Sequence, residues 1–183
     1  MPRHQTPVLN ALTAAQALDL LDFRPGQSLL VTGAAGAVGG YAVQLAAHRG
    51  ITVTGLAREA DAELVRSLGA TDVTTVAAAG GGTRIADAVL DAAVLGEPAL
   101  EWVRDGGVYV GVIPQAAPAS VRGVRTDAGE VSADAARLAE LVALVDEGVL
   151  TLRVAQTYAL EEAAKAHARL AEGGVRGRLV LVP

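Results

Sequence analysis

The residues of this chain best suited to chemistry are 29–46: Leu-Leu-Val-Thr-Gly-Ala-Ala-Gly-Ala-Val-Gly-Gly-Tyr-Ala-Val-Gln-Leu-Ala. A short apolar run enters a glycine-rich turn, and a helix-forming segment leaves it. At Gly33 and Gly36 no Cβ obstructs a pyrophosphate, so backbone N–H groups can approach it closely. The following helix points its partial positive charge and free N–H groups at such an anion. Gly39 lets that helix pack tightly on the strand before it. The alternative is a plain strand–helix turn with glycines for geometry alone. A buried strand before and a helix after favour dinucleotide binding.

Other chemistries fail on the same residues. No lysine follows the glycines, so the segment is not a Walker A loop. The short-chain dehydrogenase pattern needs glycine at position 37, where the chain has Ala37, and a lysine four residues after a tyrosine. None of Tyr41, Tyr109 or Tyr158 has one. There is no G-x-S-x-G elbow, and Ser28, Ser67, Ser120 and Ser132 have no nearby histidine.

The end of the second strand selects between NAD and NADP. The NAD solution is a carboxylate about 20 residues beyond the glycines, on the ribose 2′-OH. Here that position is Ala57, and Arg58 follows. A small residue then an arginine removes repulsion and supplies a cation for a 2′-phosphate. Glu59 and Asp61 read instead as the first turn of the next helix, where acids suit the dipole. The reading is NADP, with a solvated surface arginine as the alternative for Arg58.

Composition narrows the remaining classes. The 183 residues suit one domain. Hydrophobic residues make up 51%, too many for a disordered chain, yet no apolar run reaches the roughly 18 residues that span a bilayer. No secretory signal is visible in residues 1–7, so a cytoplasmic location is expected. The absence of cysteine excludes disulfides, thiolate metal sites and a cysteine nucleophile. His4, His48 and His167 have no ligand spacing, and no metal is expected. A net charge of −5 and only 3% aromatic residues argue against a nucleic-acid partner.

The elements that must position the glycine turn follow from periodicity and turn residues. After a tail over 1–10, helices are expected at 11–21, 41–49, 59–68, 98–104, 132–147 and 160–172. Strands are expected at 28–32, 51–56, 72–76, 85–93, 107–113, 121–126 and 178–182. Pro25-Gly26 closes the first unit, 77–83 and 114–120 read as loops, and Ser132 is the expected N-cap of its helix. Strands alternating with helices imply an α/β fold: a doubly wound, parallel Rossmann sheet in three α/β/α layers.

Several segments in order carry a family resemblance. They are Leu12-Thr13-Ala14-Ala15-Gln16-Ala17-Leu18, Arg24-Pro25-Gly26-Gln27-Ser28, the 33–39 turn, Ser67-Leu68-Gly69-Ala70-Thr71-Asp72-Val73 and Asp87-Ala88-Val89-Leu90-Asp91. Gly106-Gly107-Val108-Tyr109-Val110-Gly111, Leu160-Glu161-Glu162-Ala163-Ala164-Lys165-Ala166-His167 and Gly174-Val175-Arg176-Gly177-Arg178-Leu179-Val180-Leu181 complete the set. From about residue 8 onward the chain resembles the zinc-independent, quinone-oxidoreductase-like branch of the medium-chain dehydrogenase/reductases.

The resemblance implies a dinucleotide-binding domain over 11–183, with 150–183 packing towards an N-terminal barrel domain that these residues do not include. It implies NADPH-dependent hydride transfer to a quinone or activated alkene. Gly36, Ala37, Val38 and Gly39 would line the pyrophosphate, and Arg58 the 2′-phosphate. Thr13 and Val112-Ile113-Pro114 would lie beside the nicotinamide ribose and carboxamide, and Val94 and Leu95 would border the cofactor. A helix N-cap is the alternative for Thr13, and ordinary core for Val94, Leu95 and Val112. No catalytic acid or base stands out. His48 and His167 read as packed or surface helix residues, and Asp91 as a carboxylate serving the backbone.

Two functions follow. One is an NADPH-dependent oxidoreductase, or its cofactor-binding half, acting on a small-molecule quinone or alkene. The other is a non-catalytic dinucleotide-binding module or repurposed fold, acting as a sensor, a partner subunit or a cofactor-free catalyst. A homodimer is expected, with 121–126 as the sheet edge involved, or a partner chain that supplies the barrel domain.

Overall fold

Leu29, Leu30 and Val31 are wholly buried, as a strand covered on both faces requires. They form β1 (Ser28–Thr32) at the centre of a parallel sheet. The computed structural model describes residues 8–24, 26–80 and 84–183. Six strands run in the order β3-β2-β1-β4-β5-β6, with β2 at Thr52–Leu56, β3 at Asp72–Thr74, β4 at Ala86–Asp91, β5 at Val103–Gly111 and β6 at Arg125–Ala128. Every pairing is parallel. The order reverses between β1 and β4, the switch point at which such sheets bind ligands beyond their carboxyl ends. In register there, Thr32 sits beside Leu56 on one side and Asp91 on the other.

Helices cover both faces, which gives the expected Rossmann-like α/β fold. α1 (Val8–Leu21), α2 (Ala37–His48), α3 (Ala62–Ser67) and α5 (Ala135–Asp146) pack one core with Leu29, Val31, Val53, Leu90 and Val110. The opposite core is smaller. There α4 (Val76–Ala79) and a 3-10 segment over Glu97–Trp102 cover Leu30, Val89 and Tyr109. Beyond α5, β7 (Val154–Ala159) pairs in parallel with β8 (Arg178–Val182), and α6 (Ala163–Ala171) crosses between them.

Several boundaries differ from expectation for local reasons. α1 starts at Val8, within the expected tail; residues 1–7 and Pro25 lie outside the described residues. α2 begins at Ala37, four residues early, because the glycines at 39 and 40 belong to the helix. The edge strand begins at Arg125 and not at 121. Arg122 and Gly123 both have positive φ, and Val124 N–H closes a turn onto the Val121 carbonyl. Thr75 caps α4, which occupies part of the expected 77–83 loop; residues 81–83 are not described. Asp134, not Ser132, caps α5, since its carboxylate accepts from Arg137 N–H. Ser132 instead exchanges backbone hydrogen bonds with the Gln16 amide.

Candidate dinucleotide site

The turn after β1 is built on backbone close approach. Gly33 has φ +58°, and Gly36 N–H donates to its carbonyl at 2.7 Å. Gly36 is the N-cap of α2. Helix geometry therefore leaves the N–H groups of Ala37, Val38 and Gly39 without acceptors within the helix. Gly39 lies against the turn: a Cβ there would run into the Gly33 carbonyl, 2.8 Å from its carbon and 3.1 Å from Ala34 Cα. At Gly36 a Cβ would stand 2.9 Å from the Gly33 oxygen. The third glycine thus sets helix against turn, and the second leaves the turn's outer surface bare.

This surface opens into a cleft of about 580 Å³ at the carboxyl ends of β1, β2 and β4. Gly33, Ala35 and Gly36 form one wall. Leu56, Ala57, Arg58 and Asp61 form a second, with Thr75, Val76, Ala77, Ala92, Ala93, Leu95 and Arg176 completing it. The cleft gathers five of the expected site residues: Gly33, Gly36, Ala57, Arg58 and Leu95. Ala37, Val38 and Gly39 stand just behind the turn.

Val94 adjoins the cleft at φ +58°. Neither it nor Leu95 is core, for they are 41% and 36% exposed, which corrects the core alternative. Val112 packs against the larger core, while Ile113 and Pro114 are exposed beyond β5. None of these three lines the cleft. Thr13 does not line it either. It lies inside α1 and is no N-cap, because its hydroxyl donates back to the Leu9 carbonyl at 2.7 Å.

Charge in the cleft is arranged by one ion pair. Arg176 donates to Asp61 through Nε at 2.5 Å and Nη2 at 2.6 Å, a bidentate contact. These hydrogen bonds hold the Asp61 carboxyl below its ordinary range despite its burial. Arg58 keeps 74% of its side chain exposed, with Nε 4.0 Å from Asp61. A third arginine acts from behind the turn. Arg153 donates from Nη1 to the Ala35 carbonyl at 3.0 Å and from Nη2 to the Gly36 carbonyl at 2.6 Å. Burial lowers its pKa from the ordinary value.

Beneath the cleft, Asp91 is wholly buried at the end of β4. It accepts from the Thr32 hydroxyl at 2.5 Å, the Tyr109 hydroxyl at 2.8 Å and Gly96 N–H at 2.8 Å. Thr32 in turn accepts from Ala93 N–H. Burial and the Asp91 carboxylate push the Tyr109 phenol well above its usual range. This network fixes the 92–96 loop against the glycine turn. Asp91 therefore serves side chains as well as backbone.

The sequence reading missed Arg153 and Arg176. Their partners lie more than a hundred residues away, and no local spacing announces them. His48 and His167 are exposed on α2 and α6, away from the cleft lining, and His4 is outside the described residues. Among the described residues no three His, Cys, Asp or Glu side chains converge as metal ligands, and the chain has no cysteine. The described residues therefore do not by themselves assemble a zinc site.

The zinc-binding dehydrogenase family profile matches residues 59–181. The chain thus belongs to that family, the medium-chain dehydrogenase/reductases that its motifs resemble. It is 33% identical over 195 aligned positions to the pikromycin polyketide synthase component PikAII of Streptomyces venezuelae, spanning 93% of this chain and 5% of that one. It is 32% identical to a probable mitochondrial zinc-binding oxidoreductase of Arthroderma benhamiae, over 96% of this chain and 60% of the relative.

Solved structures agree. The quinone oxidoreductase from Coxiella burnetii superposes with a TM-score of 0.81 at 27% identity, over 94% of this chain and 58% of that one. An NAD-dependent alcohol dehydrogenase gives 0.80 at 28% identity, over 96% and 57%. The chain is an oxidoreductase-family nucleotide-binding fold that spans at most about 60% of these relatives.

Proposed function

We propose that this chain binds NADPH in the cleft beside its glycine turn and serves hydride transfer to a quinone or other activated alkene. The observation that carries the reading is one cleft lined by both the glycine turn, at Gly33 and Gly36, and the exposed Arg58, with the N-terminus of α2 directly behind that turn. The bound nicotinamide would supply the hydride. The chain's own residues would bind and orient. Ala37, Val38 and Gly39 would donate N–H groups to the pyrophosphate, and Arg58 would meet a 2′-phosphate. Asp61 would not compete as a ribose ligand, because both of its oxygens already accept from Arg176. Val94 and Leu95 would shield the nicotinamide side from water, with Ile113 and Pro114 further along the same strand ends. Thr13 keeps no free proton for that ring, since its hydroxyl is spent on Leu9.

Quinone or alkene reduction is the reaction the Coxiella relative supports, because that relative is a quinone oxidoreductase. The wall facing the substrate would come from outside these 183 residues, consistent with relatives of which the chain spans at most about 60%. Self-association through the outer edge of β6 belongs to the same proposal. The test is a melting-temperature shift. A ligand at about a hundred times its Kd adds about 2.7 kcal/mol, or about 5–10 °C for a domain of this size. NADPH should produce that rise, and no shift at saturating NADPH would overturn the reading.

A further inference from the structure

Gly40, in the first turn of α2, lies against a side chain 113 residues further along. A Cβ at Gly40 would collide with Nη2 of Arg153 and stand 3.2 Å from its Cζ. That bare position seats the guanidinium, which spans the carbonyls of Ala35 and Gly36. Those carbonyls belong to the peptide units that lead into α2. With both oxygens held, the two peptide planes are fixed: Gly36 N–H stays on the Gly33 carbonyl, and Ala37 N–H is oriented as the first donor of α2. The half-buried guanidinium also places a positive charge behind a turn that has no acidic residue in the first turn of its helix.

Arg153 is itself held by its backbone. Its carbonyl accepts from Arg178 N–H at 2.8 Å, and Gly177 leaves room for that approach. Gln44 of α2 adds a second tie, accepting from Thr151 N–H at 2.8 Å. We infer that Arg153 is a positioning residue for dinucleotide binding. It presets the peptide orientation of the glycine turn, and through it the β7–β8 pair and the cofactor cleft are ordered together. This rests on the dinucleotide reading above.

Arg153 would act on the pyrophosphate turn that NADPH and NADH share, so its loss should weaken both equally. This distinguishes it from Arg58, whose loss should weaken NADPH alone. Arg153→Ala should raise both dissociation constants by about tenfold or more, the scale of two charge-assisted hydrogen bonds. Low-millimolar guanidinium chloride, far below denaturing concentrations, should restore much of that affinity, and methylammonium should not. A role in global stability alone would give no such rescue. Gly40→Ala should mimic the loss by displacing the guanidinium, and the double variant should be no worse than either single one.

If Arg153→Ala fails to fold, Arg153→Lys and Gly40→Ala carry the same comparison. Unchanged affinity in folded variants, or a loss confined to NADPH, would overturn the inference. Failure of the parent chain to bind either dinucleotide would instead overturn the reading on which it rests.

Discussion

Arg176 clasps Asp61 across 115 residues of sequence, and the pair brings the C-terminal segment to the cleft beside the glycine turn. Among the described residues, the only carboxylate lining that cleft is thereby matched by one arginine, which leaves the positive charge of Arg58 in surplus. That surplus is the electrostatic basis of the NADPH reading.

Arg58→Ala should weaken NADPH binding by about ten- to a hundred-fold, equivalent to about 1.5–3 kcal/mol for a lost charge-assisted contact, and leave NADH nearly unchanged. Calorimetric titration of both nucleotides measures it directly. Equal weakening of the two would remove Arg58 from the 2′-phosphate.

The Asp61–Arg176 pair should show in acid. The folded-state pKa of Asp61 is depressed. Its contribution to stability is therefore complete above the unfolded value near 3.9 and is lost as pH falls through the folded value. Asp61→Asn should be less stable than the parent at pH 7, and the gap should close progressively below about pH 4. Urea unfolding at a series of pH values checks this. A gap that stayed constant down to pH 2 would mean that the pair contributes nothing.

The second and third glycines of the turn should fail differently. Gly39→Val should cost roughly 1–3 kcal/mol of stability through overpacking, because the helix cannot move off the Gly33 carbonyl. Gly36→Val should cost less stability, since its added Cβ meets only one carbonyl oxygen at 2.9 Å, and should abolish most NADPH affinity. Denaturant unfolding and nucleotide titration separate the two effects. A folded Gly36→Val that binds NADPH like the parent would remove the phosphate role from this turn.

Much of this was legible in the sequence. Runs such as Leu29–Val31 have only one home, a strand buried on both faces, and the glycines mark the turn, although the helix after it starts at Ala37 and not at 41. The alternation of strands and helices gives the doubly wound parallel sheet, while the order of its strands comes from the structure. What stayed hidden was set by long-range or non-apolar causes. β7, Val-Ala-Gln-Thr-Tyr-Ala, is largely exposed and exists because β8 pairs with it, so no hydrophobic pattern marks it. Asp61 looked like a dipole-friendly acid because Arg176 is invisible from its neighbourhood. Thr13 looked like a cap because it precedes helix formers, whereas the helix had begun five residues earlier.

The polypeptide of these 183 residues should bind NADPH yet reduce quinones slowly. On the proposed reading the glycine turn and Arg58 face one cleft, and the wall that would orient a substrate over the nicotinamide comes from outside these residues. Orientation can supply roughly 7–11 kcal/mol in well-positioned reactions, and losing half of it would bury turnover in background. Following NADPH oxidation at the nicotinamide absorbance band with a panel of quinones, with and without a fused N-terminal domain from a full-length relative, measures it. Turnover that appears only with the fusion supports the account. Fast turnover by the polypeptide alone would mean that another surface, such as a second copy, completes the site.

The central claim is that this cleft takes NADPH in preference to NADH, and the ratio of the two dissociation constants for the parent chain tests it most directly. Calorimetric titration should give one saturable site for each, with NADPH bound about ten- to a hundred-fold more tightly, as expected for one charge-assisted phosphate contact. NADH bound as tightly as NADPH, or neither bound at all, would contradict the account.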